Sequence, residues 1–221
     1  MKRSTEEKTK VLLVEDHAMF RERLALLISQ DFDMTICGET DNIQEALEIV
    51  QSAKPDLALI DITLKGSSGL EFLKDLKARE INLPVLVLSM HEEALYAERV
   101  LAAGAKGYIT KHESSQTLLR AIQCVLEGKV YLSEQMTETL LRKMSGQDVS
   151  SSAMKRLTDR ELEVFQLIGA GRTTREIAET LRLGITTVDT YRTRIKEKLG
   201  LRNGTQLQHY ASNCVQQGMP G

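Results

Sequence analysis

Cysteine is scarce in this chain. The three cysteines, Cys37, Cys124 and Cys214, are odd in number and widely spaced over 221 positions. They form neither a disulfide framework nor a zinc cluster, and a reducing cytoplasm suits them. Long apolar runs are missing too. Hydrophobic residues make up 42% of the sequence, yet no stretch nears the ~18–20 residues that a membrane span needs, so no membrane partner is expected. The segment from Met1 to Lys10 is charged, with no apolar run behind it. A signal peptide is therefore not expected, and residues 1–9 read as a short disordered leader. Internal repeats are absent. Net charge is small, at −2, but unevenly placed: residues 155–221 hold 11 Lys and Arg against 7 Asp and Glu, and the remainder holds 18 against 24. An acidic front joined to a basic back suits a regulatory domain coupled to a nucleic-acid reader.

What is present is alternation. Apolar runs near 11–15, 34–38, 57–61, 85–89 and 106–109 are separated by amphipathic stretches near 18–30, 42–52, 69–78, 93–103 and 114–127. Runs such as Pro84-Val85-Leu86-Val87-Leu88-Ser89 are continuously apolar, as strands buried on both faces should be. Strands separated by helices imply βαβ units and an α/β fold, a doubly wound five-stranded parallel sheet. Asp41-Asn42 and Ser114-Ser115 are N-cap candidates for the second and fifth helices, and Gly128 ends the fifth. A further amphipathic stretch, 133–144, leads to the small polar run 145–152, a flexible linker by composition. Beyond it the pattern is wholly helical, near 159–170, 174–181, 185–199 and 204–217. The length suits two modest domains: residues 10–128, then a linker helix and linker over 129–154, then a smaller all-α domain over 155–221.

Charged residues stand where the apolar runs end. Glu15-Asp16 follow Val11-Leu12-Leu13-Val14, Asp61 follows Ala58-Leu59-Ile60, and Lys111 follows Gly107-Tyr108-Ile109. In open parallel sheets the carboxyl edge is where ligands bind. Carboxylates gathered there repel one another unless a cation joins them. Mg²⁺ is the expected ion, because it prefers oxygen ligands and bridges to phosphate. Glu15, Asp16 and Asp61, with a backbone carbonyl near Thr63, would hold it. Asp61 stands alone at its strand end and is the expected nucleophile toward phosphorus. Lys111 would pair with phosphoryl oxygens, and the Ser89 hydroxyl would donate to one of them. These residues resemble the response-regulator receiver domain over residues 10–127. The resemblance implies a flavodoxin-like receiver fold, and it makes Tyr108 the switch aromatic that swings inward when the hydroxyl moves. The family's usual Met-Pro-Gly turn is here Leu64-Lys65-Gly66. His17, His91, His112 and His209 fit no catalytic pattern and are assigned surface or core roles.

In the last third, Leu157-Thr158-Asp159-Arg160-Glu161 reads as a capping box with Thr158 as N-cap. A short helix through Glu176-Ile177-Ala178, a tight turn at Gly184 and a second helix make a helix-turn-helix. Val188, Tyr191, Ile195 and Leu199 form the core stripe of that second helix. Its far side shows Thr186, Thr190 and Thr193, flanked by Asp189 and Arg194, and would enter the major groove of double-stranded DNA. Arg160-Glu161, Glu176-Ile177-Ala178, Thr187-Val188 and Lys198-Leu199 resemble the LuxR-type DNA-binding domain. The whole chain is similar to NarL/FixJ-type response regulators.

That resemblance implies a transcription factor phosphorylated on Asp61 by a sensor histidine kinase, with phosphorylation controlling dimerisation and promoter binding. Asp189, Thr190 and Thr193 are expected to read bases, with Thr186 and Thr187 beside them. Arg194, Lys196, Lys198, Arg172 and Arg175 are expected to contact phosphates. An acid stands at Asp189, where the family usually has lysine or another polar residue; it can accept from cytosine N4. Leu207, Tyr210 and Ala211 on the last helix either serve a dimer or close the four-helix core. Two rival readings stay open: a phosphorylation-independent regulator with a decayed receiver, and a haloacid-dehalogenase-type phosphotransferase. The second wants an acid two residues after Asp61, where Thr63 stands.

Overall fold

The computed structural model of the chain describes residues 8–31, 33–64, 67–90, 93–144 and 154–216. Most of the expected leader, Lys65 with Gly66, His91 and the expected linker 145–152 lie outside the described residues. Two compact units are formed, Met1–Ser133 and Glu134–Gly221. The stretch expected as a linker helix groups with the second unit.

The first unit runs β1 (Thr9–Val14), α1 (Ala18–Ser29), β2 (Met34–Thr40), α2 (Ile43–Ala53), β3 (Leu57–Asp61), β4 (Thr63–Leu64), β5 (Ser67–Ser68), α3 (Gly69–Ala78), β6 (Val85–Ser89), α4 (Glu93–Ala103), β7 (Gly107–Thr110) and α5 (Ser115–Leu126). β1 opens at Thr9, inside the stretch expected as leader, because its amide donates to Asp33 O (2.8 Å) and its register with β2 begins there. The main sheet has the order β2-β1-β3-β6-β7, and every pair is parallel. β3 and β6 are buried along their whole length, which is why their sequences do not alternate. On one face, Leu13, Leu59 and Leu88 pack with Leu24 and Ile28 of α1 and with Ile122 and Val125 of α5. The alternate strand residues, Leu12, Ile60, Val87 and Tyr108, are equally buried and point to the opposite face.

Asn42 caps α2 by accepting from Gln44 N and Glu45 N, and Ser114 caps α5 by accepting from Thr117 N. The β4–β5 hairpin has no counterpart in the hydrophobic pattern, since two-residue strands show no periodicity. A second addition is an isolated parallel bridge between Gly107 and Tyr131. Through it, Tyr108 N donates to Tyr131 O (3.1 Å) and Tyr131 N donates to Lys106 O (2.9 Å).

The second unit contains α6 (Glu134–Met144), a 3₁₀ turn (Met154–Arg156), α7 (Asp159–Gly169), α8 (Thr174–Leu181), α9 (Ile185–Leu199) and α10 (Gly204–Gln216). Thr158 closes the expected capping box with Glu161, and Thr173 closes a second with Glu176. The expected turn at Gly184 lies between α8 and α9, over residues 182–184. Arg182 takes the left-handed conformation (φ 52°) that ends α8, and Gly184 is an extended N-cap. On α10, Leu207 and Ala211 are fully buried, and Gln208 Nε2 and Ser212 Oγ donate to the C-terminal carbonyls of Ile168 and Gly169 on α7. A Cβ on Gly169 would lie 2.6 Å from Ala211 O, so a glycine is needed for the helices to meet this closely. α10 therefore closes the helical core. Among the described residues no helix is long and apolar enough to cross a membrane.

Candidate phosphoryl site and nucleic-acid face

The sheet winds outward from β1 to β2 in one direction and through β3, β6 and β7 in the other. The winding reverses between β1 and β3, and a crevice opens at the carboxyl ends of the strands at such a point. Val14 pairs with Ile60 across that junction, and Asp61 pairs with Leu88 on the other side. Glu15, Asp16 and Asp61 consequently converge, all three buried. Lys111, one residue past β7, reaches the same place with its side chain only 2% exposed. Its Nζ lies 2.6 Å from Asp61 Oδ2, 2.9 Å from Glu15 Oε1 and 2.7 Å from Glu15 Oε2. It also sits 4.8 Å from the centroid of the Phe20 ring, a cation–π contact.

The backbone around Asp61 is fixed from below. Thr63 N donates to Asp61 Oδ1 (3.1 Å). Gly69 N donates to Ile62 O (2.8 Å), and Ser68 Oγ to the same carbonyl (3.3 Å). A Cβ at position 69 would stand 2.6 Å from Asp61 O, so glycine lets α3 begin directly against the strand end. Ser89 is buried at the end of β6, its carbonyl accepting from Lys111 N (2.7 Å). Tyr108 is fully buried.

Charge at the site is unbalanced. Burial, and then repulsion from Asp61, push the Glu15 carboxyl above its usual range, against the pull of Lys111. Three buried carboxylates face one buried ammonium, a donor set that fits a hard cation. Two residues after Asp61, the Thr63 hydroxyl is buried without a hydrogen-bond partner among the described residues. The sequence reading missed one member of the cluster. His17, assigned no chemical role, places Nδ1 2.8 Å from Asp16 Oδ1, 3.0 Å from Glu15 Oε1 and 3.8 Å from Asp61 Oδ2. The pull of Asp61, against lost hydration and with Asp16 and Glu15 adding to it, raises the imidazole to about 9. Its position directly after the acid pair, at a strand-to-helix turn, was the available signal.

In the second unit, Thr186, Thr187, Asp189, Thr190, Thr193 and Arg194 are all exposed on α9, while Val188 and Ile195 are buried. A shallow concavity runs over Thr186, Asp189, Thr190, Thr193, Arg194 and Glu197. Thr190 Oγ1 donates back to Thr186 O (2.8 Å), which engages the hydroxyl with the helix backbone. Glu197 also belongs to this surface and was not singled out from sequence.

Arg172 and Arg175 are exposed, in loose pairs with Glu176 (3.6 Å) and Glu179 (3.5 Å). Lys196 is partly buried. Lys198, expected to contact phosphate, places Nζ 2.5 Å from Glu161 Oε2, an ion pair joining α9 to α7. Burial would raise the Glu161 carboxyl, but Lys198 and the Thr158 donors outweigh it and hold it below the usual range.

Comparison with known proteins agrees with both halves. Residues 11–123 match the response regulator receiver domain family, and residues 155–211 match the bacterial regulatory proteins of the luxR family. The chain is 36% identical over 203 residues to a putative transcriptional regulator of Pseudomonas aeruginosa, covering 92% of this chain and 97% of that one. It is 31% identical over 212 residues to the DNA-binding transcriptional activator DevR/DosR of Mycobacterium tuberculosis, covering 96% and 98%. Its fold is similar to that of RcsB from Salmonella enterica serovar Typhimurium, solved bound to the promoter P1flhDC with the phosphomimetic BeF3-. That match has a TM-score of 0.63 at 21% identity, over 94% of this chain and 100% of the other. The chain belongs to the response regulators that couple a receiver domain to a LuxR-type DNA-binding domain in one two-component transcription factor.

Proposed function

We propose that Asp61 is the phosphoacceptor and that a sensor histidine kinase supplies the phosphoryl group. The observation carrying this reading is the Lys111 ammonium held 2.6 Å from Asp61 Oδ2 inside a buried acidic crevice. An Asp61 carboxylate oxygen forms the new bond to phosphorus as the bond to the donor's leaving group breaks. Glu15, Asp16, Asp61 and the Thr63 carbonyl hold Mg²⁺, which when bound neutralises charge on the carboxylates and on the phosphoryl oxygens. Lys111 moves its contact from the carboxylate to a phosphoryl oxygen, Ser89 donates to another, and Tyr108 follows Ser89. The modification biases a two-state equilibrium only through such differential contacts. Because the covalent chemistry is confined to the protein's own aspartate, we assign no enzyme activity on a separate substrate.

The output is binding to double-stranded promoter DNA as a homodimer in the cytoplasm. Asp189, Thr190 and Thr193, with Thr186 and Thr187, face base edges; Arg194, Lys196, Lys198, Arg172 and Arg175 contact phosphates. Support comes from the DNA-binding activator among the relatives and from the promoter-bound RcsB structure. Intact mass of the wild type and of Asp61→Asn after acetyl phosphate with Mg²⁺ tests the switch. A single phosphoryl adduct on the wild type alone is expected. No adduct on either protein would replace this reading with a phosphorylation-independent regulator.

A further inference from the structure

The donor atoms around His17 are spaced like neighbours in one coordination shell. With bonds of about 2.1 Å, adjacent ligands of an octahedral ion lie about 3.0 Å apart and opposite ones about 4.2 Å. His17 Nδ1 is 2.8 Å from Asp16 Oδ1 and 3.0 Å from Glu15 Oε1, the spacing of adjacent ligands. Asp61 Oδ2, at 3.8 Å, falls between adjacent and opposite. One donor atom from each of Glu15, Asp16, His17 and Asp61 lies within 4.8 Å of the other three. The carboxylates are buried, whereas the His17 side chain is 63% exposed. The ring thus closes the acidic crevice from the solvent side with Nδ1 turned inward.

Resting on the cation site described under the proposed function, we propose that His17 is a further ligand of that site through Nδ1. It shifts the site's preference from Mg²⁺ toward first-row transition ions. Magnesium favours oxygen donors, whereas an imidazole adds most to ions later in the Irving–Williams order. Nδ1 already faces the carboxylates, so a neutral ring offers its lone pair to an ion held among them.

Pulsed electron paramagnetic resonance of the Mn²⁺-loaded full chain tests this directly, because a coordinated imidazole modulates the echo through its ¹⁴N nucleus. The modulation is expected in the wild type and lost in His17→Ala and His17→Gln. In calorimetric titrations, His17→Ala is expected to weaken Co²⁺ binding at least about tenfold, with a far smaller change for Mg²⁺. Mn²⁺ bound without nitrogen modulation, or modulation that survives in His17→Ala, overturns the ligand role and leaves the cation site standing. Absence of Mn²⁺ binding overturns both.

Discussion

Two single residues decide how the sites are posed. Gly69 begins α3 where an added Cβ would stand 2.6 Å from the Asp61 carbonyl and 3.0 Å from Ile62 Cα. Backbone cannot swing aside as a flexible side chain can. Gly69→Ala is expected to cost about 1–3 kcal/mol of stability and to slow phosphoryl uptake by displacing Asp61. Thermal denaturation and the acetyl phosphate mass assay read the two effects separately, and an unchanged protein would show that α3 yields there. On α9, Asp189 puts an acid where DNA is approached, a repulsion offset only by a base that donates to it. Asp189→Ala is expected to relax the preference at one base-pair position while raising non-specific affinity. Selection of bound sequences from a random pool would show the change, and an unaltered preference would remove Asp189 from base reading. Glu15, Asp61 and Lys111 could be found in the sequence because a charge that ends an apolar run has no role in a core. His17 could not. A histidine in an exposed turn has no periodicity, and only the fold determines that its Nδ1 faces the carboxylates.

At the scale of elements, the helical unit depends on its helix starts and on one cross-helix pair. Glu161 serves both: its carboxylate accepts from Thr158 N (2.7 Å) in the capping box and from Lys198 Nζ (2.5 Å) on α9. Its pKa is held below the ordinary value of 4.5 by these partners, against burial. A depressed carboxyl contributes stability that is present above that value and lost as pH falls through the folded one. Glu161→Gln is expected to destabilise this unit by about 2 kcal/mol at neutral pH. The gap from wild type should then close as pH drops below 4.5. Chemical denaturation across that range measures it; a gap independent of pH would mean that the charge of Glu161 contributes nothing. Among the described residues, the α-helices and the strands of the five-stranded sheet were legible because each follows a period or a continuous apolar run. The β4–β5 hairpin was not, being two residues per strand. The turn into α9 lies at Gly184 as expected, but its left-handed residue was not legible, because glycine is the usual one and here Arg182 takes that conformation.

For the whole molecule, a cation bound in the receiver crevice should act first on the stability of the unit that holds it. A divalent ion that binds the folded receiver and not the unfolded chain stabilises it by about 2.7 kcal/mol at 100 times its dissociation constant. Calorimetry in Mg²⁺ is expected to raise the receiver transition and leave the helical unit's transition in place. Asp16→Asn should remove most of that rise. A rise of equal size in the variant would mean that the ion acts elsewhere.

The bridge from Gly107 to Tyr131 has a consequence beyond holding two residues together. β7 is the last strand of its sheet, and an outermost strand presents unpaired amides on which another chain can grow. The chain folds back here after α5 and occupies part of that margin itself, with Tyr131 O taking the Tyr108 amide. The same segment is the chain's way out of the receiver. Any pull that peels it away therefore uncovers a sticky margin at the strand carrying Tyr108, so the exit of the chain also acts as a guard against self-association.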